Sequence, residues 1–316
     1  MLTPTWQMDL FIFETVILVP IYFFILVDIV ISKRKYKSFK GAYYTLLVSQ
    51  GVADIITIAI FSSLILARYF SIGNLFLYSL RPFAPLFYAN SGPFMFTTRS
   101  IGVFMITTQR YLSVCRPSGN MYYYFNIIPS YSLVIVHWFV SVMIYLPAML
   151  NSDAYFENDV SLFIMTSGRH AQIFSITVMI SFATMGLGII IMYSSIASAI
   201  VFSRSKSTSS SSKKAAKRSQ DIRLAIHVFL LVTFSVISFF YYIGEYVLSF
   251  DDGRDRLKSF RLWYPTVSGN FSFINPISLL ILNKDIQAHI VRFVCCVKPI
   301  AQSSVSIVMR KSTLKA

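Results

Sequence analysis

"FTTRSIGVFMITTQRYLSVCRP", residues Phe96 to Pro117, is apolar enough to be buried, yet it carries two arginines, Arg99 and Arg110. They stand eleven residues apart. Eleven steps of about 100° end roughly 20° past three full turns, so a helix puts both guanidinium groups on one face, about 16 Å apart along its axis. A fixed charge inside an apolar helix is expensive unless its surroundings receive it. The rest of the chain indicates what those surroundings are.

Of the 316 residues, 55% are hydrophobic, 16% are aromatic and only 13% are charged. A soluble domain carries about a quarter charged residues. The apolar residues fall in seven runs long enough to cross ~30 Å of hydrocarbon. They cover residues 10–31, 42–67, 85–114, 127–150, 171–202, 223–250 and 262–282. The predicted fold class is therefore an all-α membrane protein, a seven-transmembrane helix bundle forming one domain over residues 1–295. The seventh run is the least apolar, because it contains "VSGNFSFINP". The first run has neither a basic flank nor a small-residue cleavage site ahead of it and reads as an uncleaved anchor. No internal repeat is visible, which weakens an inverted-repeat transporter reading.

In a soluble protein the net charge of +15 would point to nucleic acid. In a membrane protein lysine and arginine instead mark cytoplasmic loops, and no nucleic-acid partner is expected. Twenty of the 28 basic residues fall on one side: in "SKRKYKSFKG", at Arg110 and Arg116, around residues 203–223, and after the last span. Seven fall on the other side. The N-terminus is thus expected outside and the C-terminus in the cytoplasm.

The segment 203–222, "SRSKSTSSSSKKAAKRSQDI", is too polar to build a core and is expected to be a flexible basic loop. It is either a solvated loop or a surface whose contact with an acidic partner or anionic lipid phosphorylation would weaken. After the last span, Ile286, Ile290, Phe293 and Val294 recur at helical spacing, predicting a short amphipathic helix on the bilayer surface. Cys295 and Cys296 follow it as palmitoylation candidates, and residues 296–316 form a cytoplasmic tail. The third cysteine, Cys115, lies on the same side, so no extracellular disulfide is available.

Asp54 lies about 18 Å into the second span from Ala42, and Arg99 about 16 Å into the third from Arg110. Equal depth on consecutive spans suggests a buried pair, which would offset most of the cost of each charge. The alternative is that Arg99 faces a water-filled cavity and binds an anionic ligand group. Glu245 falls at the outer rim, lining a ligand mouth or simply exposed. His137 and His227 have no second ligand at helical spacing and read as hydrogen-bonded structural residues. No metal site, cofactor-binding loop or catalytic motif is present in the sequence, so an enzyme is not expected.

Several motifs carry a resemblance. "TQRYL" resembles the Asp/Glu-Arg-Tyr motif of rhodopsin-like G-protein-coupled receptors, with Gln109 in place of the acid and Arg110 and Tyr111 kept. "NPISLL" resembles Asn-Pro-x-x-Tyr, with Asn275 and Pro276 kept and Leu279 in the tyrosine position. "SQGVADI" puts Asp54 where those receptors carry a mid-membrane aspartate, and Trp138 and Pro147 match the fourth span. The outer cysteine of the third span is absent, as is the Cys-Trp-x-Pro of the sixth. That combination is similar to the nematode serpentine chemoreceptors. "YYTLLVSQGVADI", "TTQRYLSVCRP" and "NPISLLILNKDI" most resemble the Srg superfamily and, within it, the Srv class, over about residues 10–295.

The resemblance implies a chemosensory receptor in the plasma membrane, plausibly of a sensory cilium. A small-molecule ligand would bind among the outer halves of the spans, at Tyr88, Asn90, Phe94, Phe96, Phe239, Tyr242, Glu245 and Tyr264. A heterotrimeric G protein would engage Gln109, Arg110, Tyr111 and the basic loop, with Asn275 and Pro276 in the switch. The resemblance leaves a receptor dimer open. With glutamine at 109 the inactive state has only a neutral hydrogen bond to Arg110, hence a weak lock. The competing reading is a seven-span ligand-gated channel or transporter. Insect odorant channels have their N-terminus inside, opposite to the charge distribution here.

Overall fold

The computed structural model describes residues 5–35, 39, 41–70, 74–81, 83–150, 153–158, 162–205, 212–250, 254–282 and 287. Seven long helices form the bundle: α1 (Trp6–Lys35), α2 (Ala42–Phe70), α4 (Phe83–Cys115), α6 (Ser130–Leu150), α7 (Gly168–Ser205), α8 (Ser212–Leu248) and α10 (Tyr264–Leu282). Between them lie short helices α3 (Asn74–Ser79), α5 (Asn120–Ile127) and α9 (Arg254–Arg261), and a hairpin of β1 (Ala154–Phe156) and β2 (Ile164–Thr166). The expected amphipathic helix, Cys295, Cys296 and the tail lie outside the described residues.

Two expected boundaries move for local reasons. The fourth span starts at Ser130 rather than at 127. Pro129 holds the preceding Ile128 extended, at φ −51° and ψ 129°, and so separates α5 from α6. The segment read as a flexible loop over 203–222 is helical on both sides, since α7 runs to Ser205 and α8 starts at Ser212. Residues 213–218, "KKAAKR", are all strong helix formers, and propensity outweighs their polarity there. Residues 206–211 lie outside the described residues.

Among the described residues, five helices are long and apolar enough to cross a membrane: α1, α2, α6, α7 and α8. The other two, α4 and α10, are far more enclosed than α1. α1 buries 7 of its 30 residues, whereas α4 buries 19 of 33 and α10 buries 10 of 19. α4 packs against α2, α6, α7 and α8, and α10 against α1, α2 and α8. Lipid leaves polar groups unsatisfied, so polar side chains belong on helices that other helices shield. The low hydropathy of the seventh run is thus a sign of a central position.

The helices approach closely at Gly102 on α4. A Cβ built there would fall 1.9 Å from Gln50 Oε1 and 3.0 Å from His137 Nε2. Gly102→Val is therefore expected to wedge α4 away from α2 and α6 and to cost roughly 1–3 kcal/mol. Gly41→Ala, with nothing within 4 Å of the added carbon, is the control. Surface-expressed protein, counted by flow cytometry, should fall for the first variant and hold for the second.

The hairpin covers one end of the bundle. Its register pairs Ala154 with Thr166, Tyr155 with Met165 and Phe156 with Ile164. Ser167 then caps α7, its Oγ accepting the His170 N–H at 3.1 Å while donating to Asp153 Oδ1 at 2.9 Å. Side chains of the bundle hold the hairpin without a disulfide. Arg68 Nη2 donates to Leu162 O (2.8 Å), Arg261 Nη2 to Thr166 Oγ1 (2.9 Å), and Lys258 pairs with Glu157 (2.7 Å). Leu162 adopts the left-handed region, φ 46°, a strain of roughly 1–2 kcal/mol. Its side chain is fully buried and its carbonyl bonds Arg68, which together offset that strain.

Candidate functional site

The axis of the bundle is polar because α10 presents a stripe of polar side chains. Tyr264, Ser268, Ser272 and Asn275 recur at steps of four, four and three, one face of a helix. Arg99 of α4 meets this stripe. Its Nη1 donates to Ser268 O (2.9 Å) and Ser272 Oγ (2.7 Å), its Nη2 to Ser268 Oγ (2.7 Å) and its Nε to Met95 O (3.3 Å). The guanidinium also lies over the Phe271 ring, 4.6 Å from the centroid, and is fully buried.

Asp54 does not pair directly with Arg99. Its Oδ2 accepts from Tyr22 OH (2.6 Å) and Asn275 Nδ2 (3.1 Å), joining α1, α2 and α10. Asn275 Nδ2 also donates to Tyr22 OH at 2.6 Å. Ser272 neighbours both charged groups. The two charged groups thus do not touch, and each binds side chains of α10 instead. Depth fixes height along a helix and says nothing of the direction a side chain takes around it.

The histidines are held by hydrogen bonds. His137 Nε2 faces the Thr98 carbonyl at 2.8 Å and must be the donor there. In the neutral ring Nδ1 then accepts from Ser49 Oγ (2.8 Å), which itself accepts from Trp138 Nε1 (3.2 Å). His227 Nδ1 bonds Ser278 Oγ at 2.7 Å.

At the hairpin end, above Tyr264, lies a cavity of about 120 Å³. Of the expected pocket residues, Tyr88, Tyr242, Glu245 and Tyr264 line it. Tyr242 OH and Tyr264 OH are hydrogen-bonded at 2.8 Å and form its floor. The other four point elsewhere. Asn90 accepts from Tyr145 OH (3.4 Å), Phe94 packs on Tyr145, and Phe96 and Phe239 flank Phe182 in the core below. On α4, residues 88 and 92 share the cavity side, while 90 and 94 are turned toward α6. Glu245 is buried and forms a 2.7 Å ion pair with Arg261 Nε, so it is not an exposed rim carboxylate.

Sequence reasoning missed Arg68, Phe163 and Arg261 as lining residues. No spacing connects Glu245 with Arg261 sixteen residues on, or Arg68 with a strand nearly a hundred residues later. The one available signal was that Arg68 interrupts the apolar run "LILARYF".

At the opposite end Gln109 is buried, with its Oε1 lacking a hydrogen-bond partner. Arg110 turns away from it and stacks on Tyr43 of α2, 3.6 Å from the ring centroid. The expected neutral hydrogen bond between Gln109 and Arg110 is replaced by this cation–π contact. Tyr111 is half-buried beside them. Pro276 removes an N–H from α10 just after Asn275, where the helix loses one backbone bond.

Seven long helices thus enclose a buried polar axis that lies beneath a cavity at one end of the bundle. That is the architecture of a seven-transmembrane receptor. The chain belongs to the family "Serpentine type 7TM GPCR chemoreceptor Srv", whose model matches residues 11–296. It is therefore a multi-pass membrane protein of a chemosensory receptor class, in accord with the resemblance carried by "TTQRYLSVCRP" and "NPISLLILNKDI". No curated protein matches the chain.

Proposed function

We propose that the protein is a plasma-membrane receptor that binds a small molecule in the hairpin-end cavity and activates a heterotrimeric G protein at the Arg110 end. The hairpin end faces outside, following the bias of lysine and arginine toward the other side. The observation that carries this reading is the continuous hydrogen-bonded contact from the cavity floor to the middle of the bundle. Tyr264 floors the cavity, and Ser268 one turn below it binds Arg99. Arg99 binds Ser272, and Asn275 in turn binds Asp54 and Tyr22. A ligand that displaces Tyr264 shifts α10 and everything hydrogen-bonded to it, so it favours one arrangement of the rim over another.

Ligand-dependent G-protein activation in a heterologous cell, recorded beside membrane current in the same cell, tests the proposal. Current without G-protein activation would support the channel reading instead. The rim also makes a specific prediction. Arg110 is held in the present state by Tyr43 rather than by a carboxylate. Gln109→Glu adds the missing carboxylate and should lower basal signalling, whereas unchanged or higher basal signalling would refute the weak-lock account.

A further inference from the structure

Among the described residues that line it, the cavity carries one more cation than anion. Three ionisable groups line it besides its tyrosines: Arg68, Arg261 and Glu245. Arg261 has its charge paired, with Nε on Glu245 Oε1 at 2.7 Å and Nη2 on Thr166 Oγ1 at 2.9 Å. Arg68 makes one hydrogen bond, from Nη2 to the Leu162 carbonyl at 2.8 Å, and its buried Nε has no partner. No described carboxylate lies within 4.0 Å of it. Phe163, 5.7 Å from its guanidinium carbon, offers a ring face, which is a weak substitute for an anion.

Such a guanidinium presents a planar fork matched to two carboxylate oxygens. Arg99, which is fully buried, has no such freedom, because α10 occupies its donors and Tyr264 separates it from the cavity. Tyr88, Phe163, Tyr241 and Tyr264 surround the space beside Arg68. At about 120 Å³ it is close to cavities of about 150 Å³ that admit one benzene ring.

Resting on the reading of this cavity as the ligand site, we propose that it takes a small organic anion. The carboxylate is held by Arg68, and a single ring or short chain lies among Tyr88, Phe163 and Tyr264. The ligand supplies a counter-charge that no described residue provides, so the receptor discriminates an acid from its neutral isostere.

The test uses the full chain purified in detergent and the matched probes benzoate against benzamide and hexanoate against hexanamide, read as shifts in thermal unfolding. An acid should raise Tm in a saturable way and its amide should not. Arg68→Gln should weaken the acid midpoint roughly tenfold to a hundredfold, with Arg68→Lys in between. Equal shifts from acid and amide, an acid shift that survives Arg68→Gln, or no shift from either acid up to about 10 mM would each overturn the proposal. If Arg68→Gln does not fold, the acid–amide contrast on the natural chain decides. Thermal unfolding needs no G protein. A failure here with intact G-protein activation removes the anion, and the converse removes the coupling.

Discussion

Arg99→Leu is expected to deplete the receptor from the cell surface and to destabilise the purified chain by about 3–5 kcal/mol. Against a typical total stability of about 5–15 kcal/mol, that loss is severe. The substitution strips donors from Ser268 and Ser272 and removes the cation that neighbours Asp54, which stays buried on Tyr22 and Asn275. Arg99→Lys should fall between, because one ammonium nitrogen replaces three guanidinium nitrogens that each reach a different set of acceptors. Adding Asp54→Asn to Arg99→Leu separates two causes. Partial recovery assigns the loss to charge balance across Ser272, and no recovery assigns it to the lost hydrogen bonds on α10. Natural surface levels and Tm in Arg99→Leu itself would refute the central role given to this residue.

Glu245→Ala should produce the second-largest effect, about 3 kcal/mol, by stranding Arg261. The pair is mostly enclosed, with side-chain exposures of 16% for Arg261 and 6% for Glu245. Arg261 also carries Thr166 of the hairpin, so the loss loosens the cover of the cavity as well. The double variant Glu245→Ala/Arg261→Ala should cost less than the sum of the single ones, as residues in contact do. The Lys258–Glu157 pair is a built-in comparison, since its side chains are 32% and 35% exposed. An exposed pair is worth about 0–1 kcal/mol. Equal Tm losses for Glu245→Ala and Glu157→Ala would refute the distinction between the two pairs.

The long helices were legible because membrane-crossing runs announce themselves by length and hydropathy. The two that stand out least, α4 and α10, are nevertheless the ones that build the axis. The polar residues that made the seventh run look like a weak span are the ones that receive Arg99 and Asp54. The partner of Arg99 was also within reach of the sequence: positions 264, 268, 272 and 275 form one face of the seventh run. Matching depths drew attention to Asp54 instead. The hairpin and α9 were not legible, because three-residue strands and an eight-residue helix carry no usable periodicity. Arg68, Glu245 and Arg261 converge only through the tertiary fold. Half of the expected aromatic lining was misplaced for a related reason, since a Phe or Tyr near the right height can face any of several neighbours.

The hairpin's attachment has a further consequence. Arg68, Arg261 and Lys258 tie it down where many secreted or surface domains would use covalent sulfur. None of the three cysteines of the chain falls in or beside the hairpin sequence, and Cys115 is a free thiol. The cover over the cavity therefore matures without an oxidising compartment and is indifferent to reductant. A receptor of this kind is suited to cell-free synthesis in reducing extracts, where disulfide-closed relatives would need refolding.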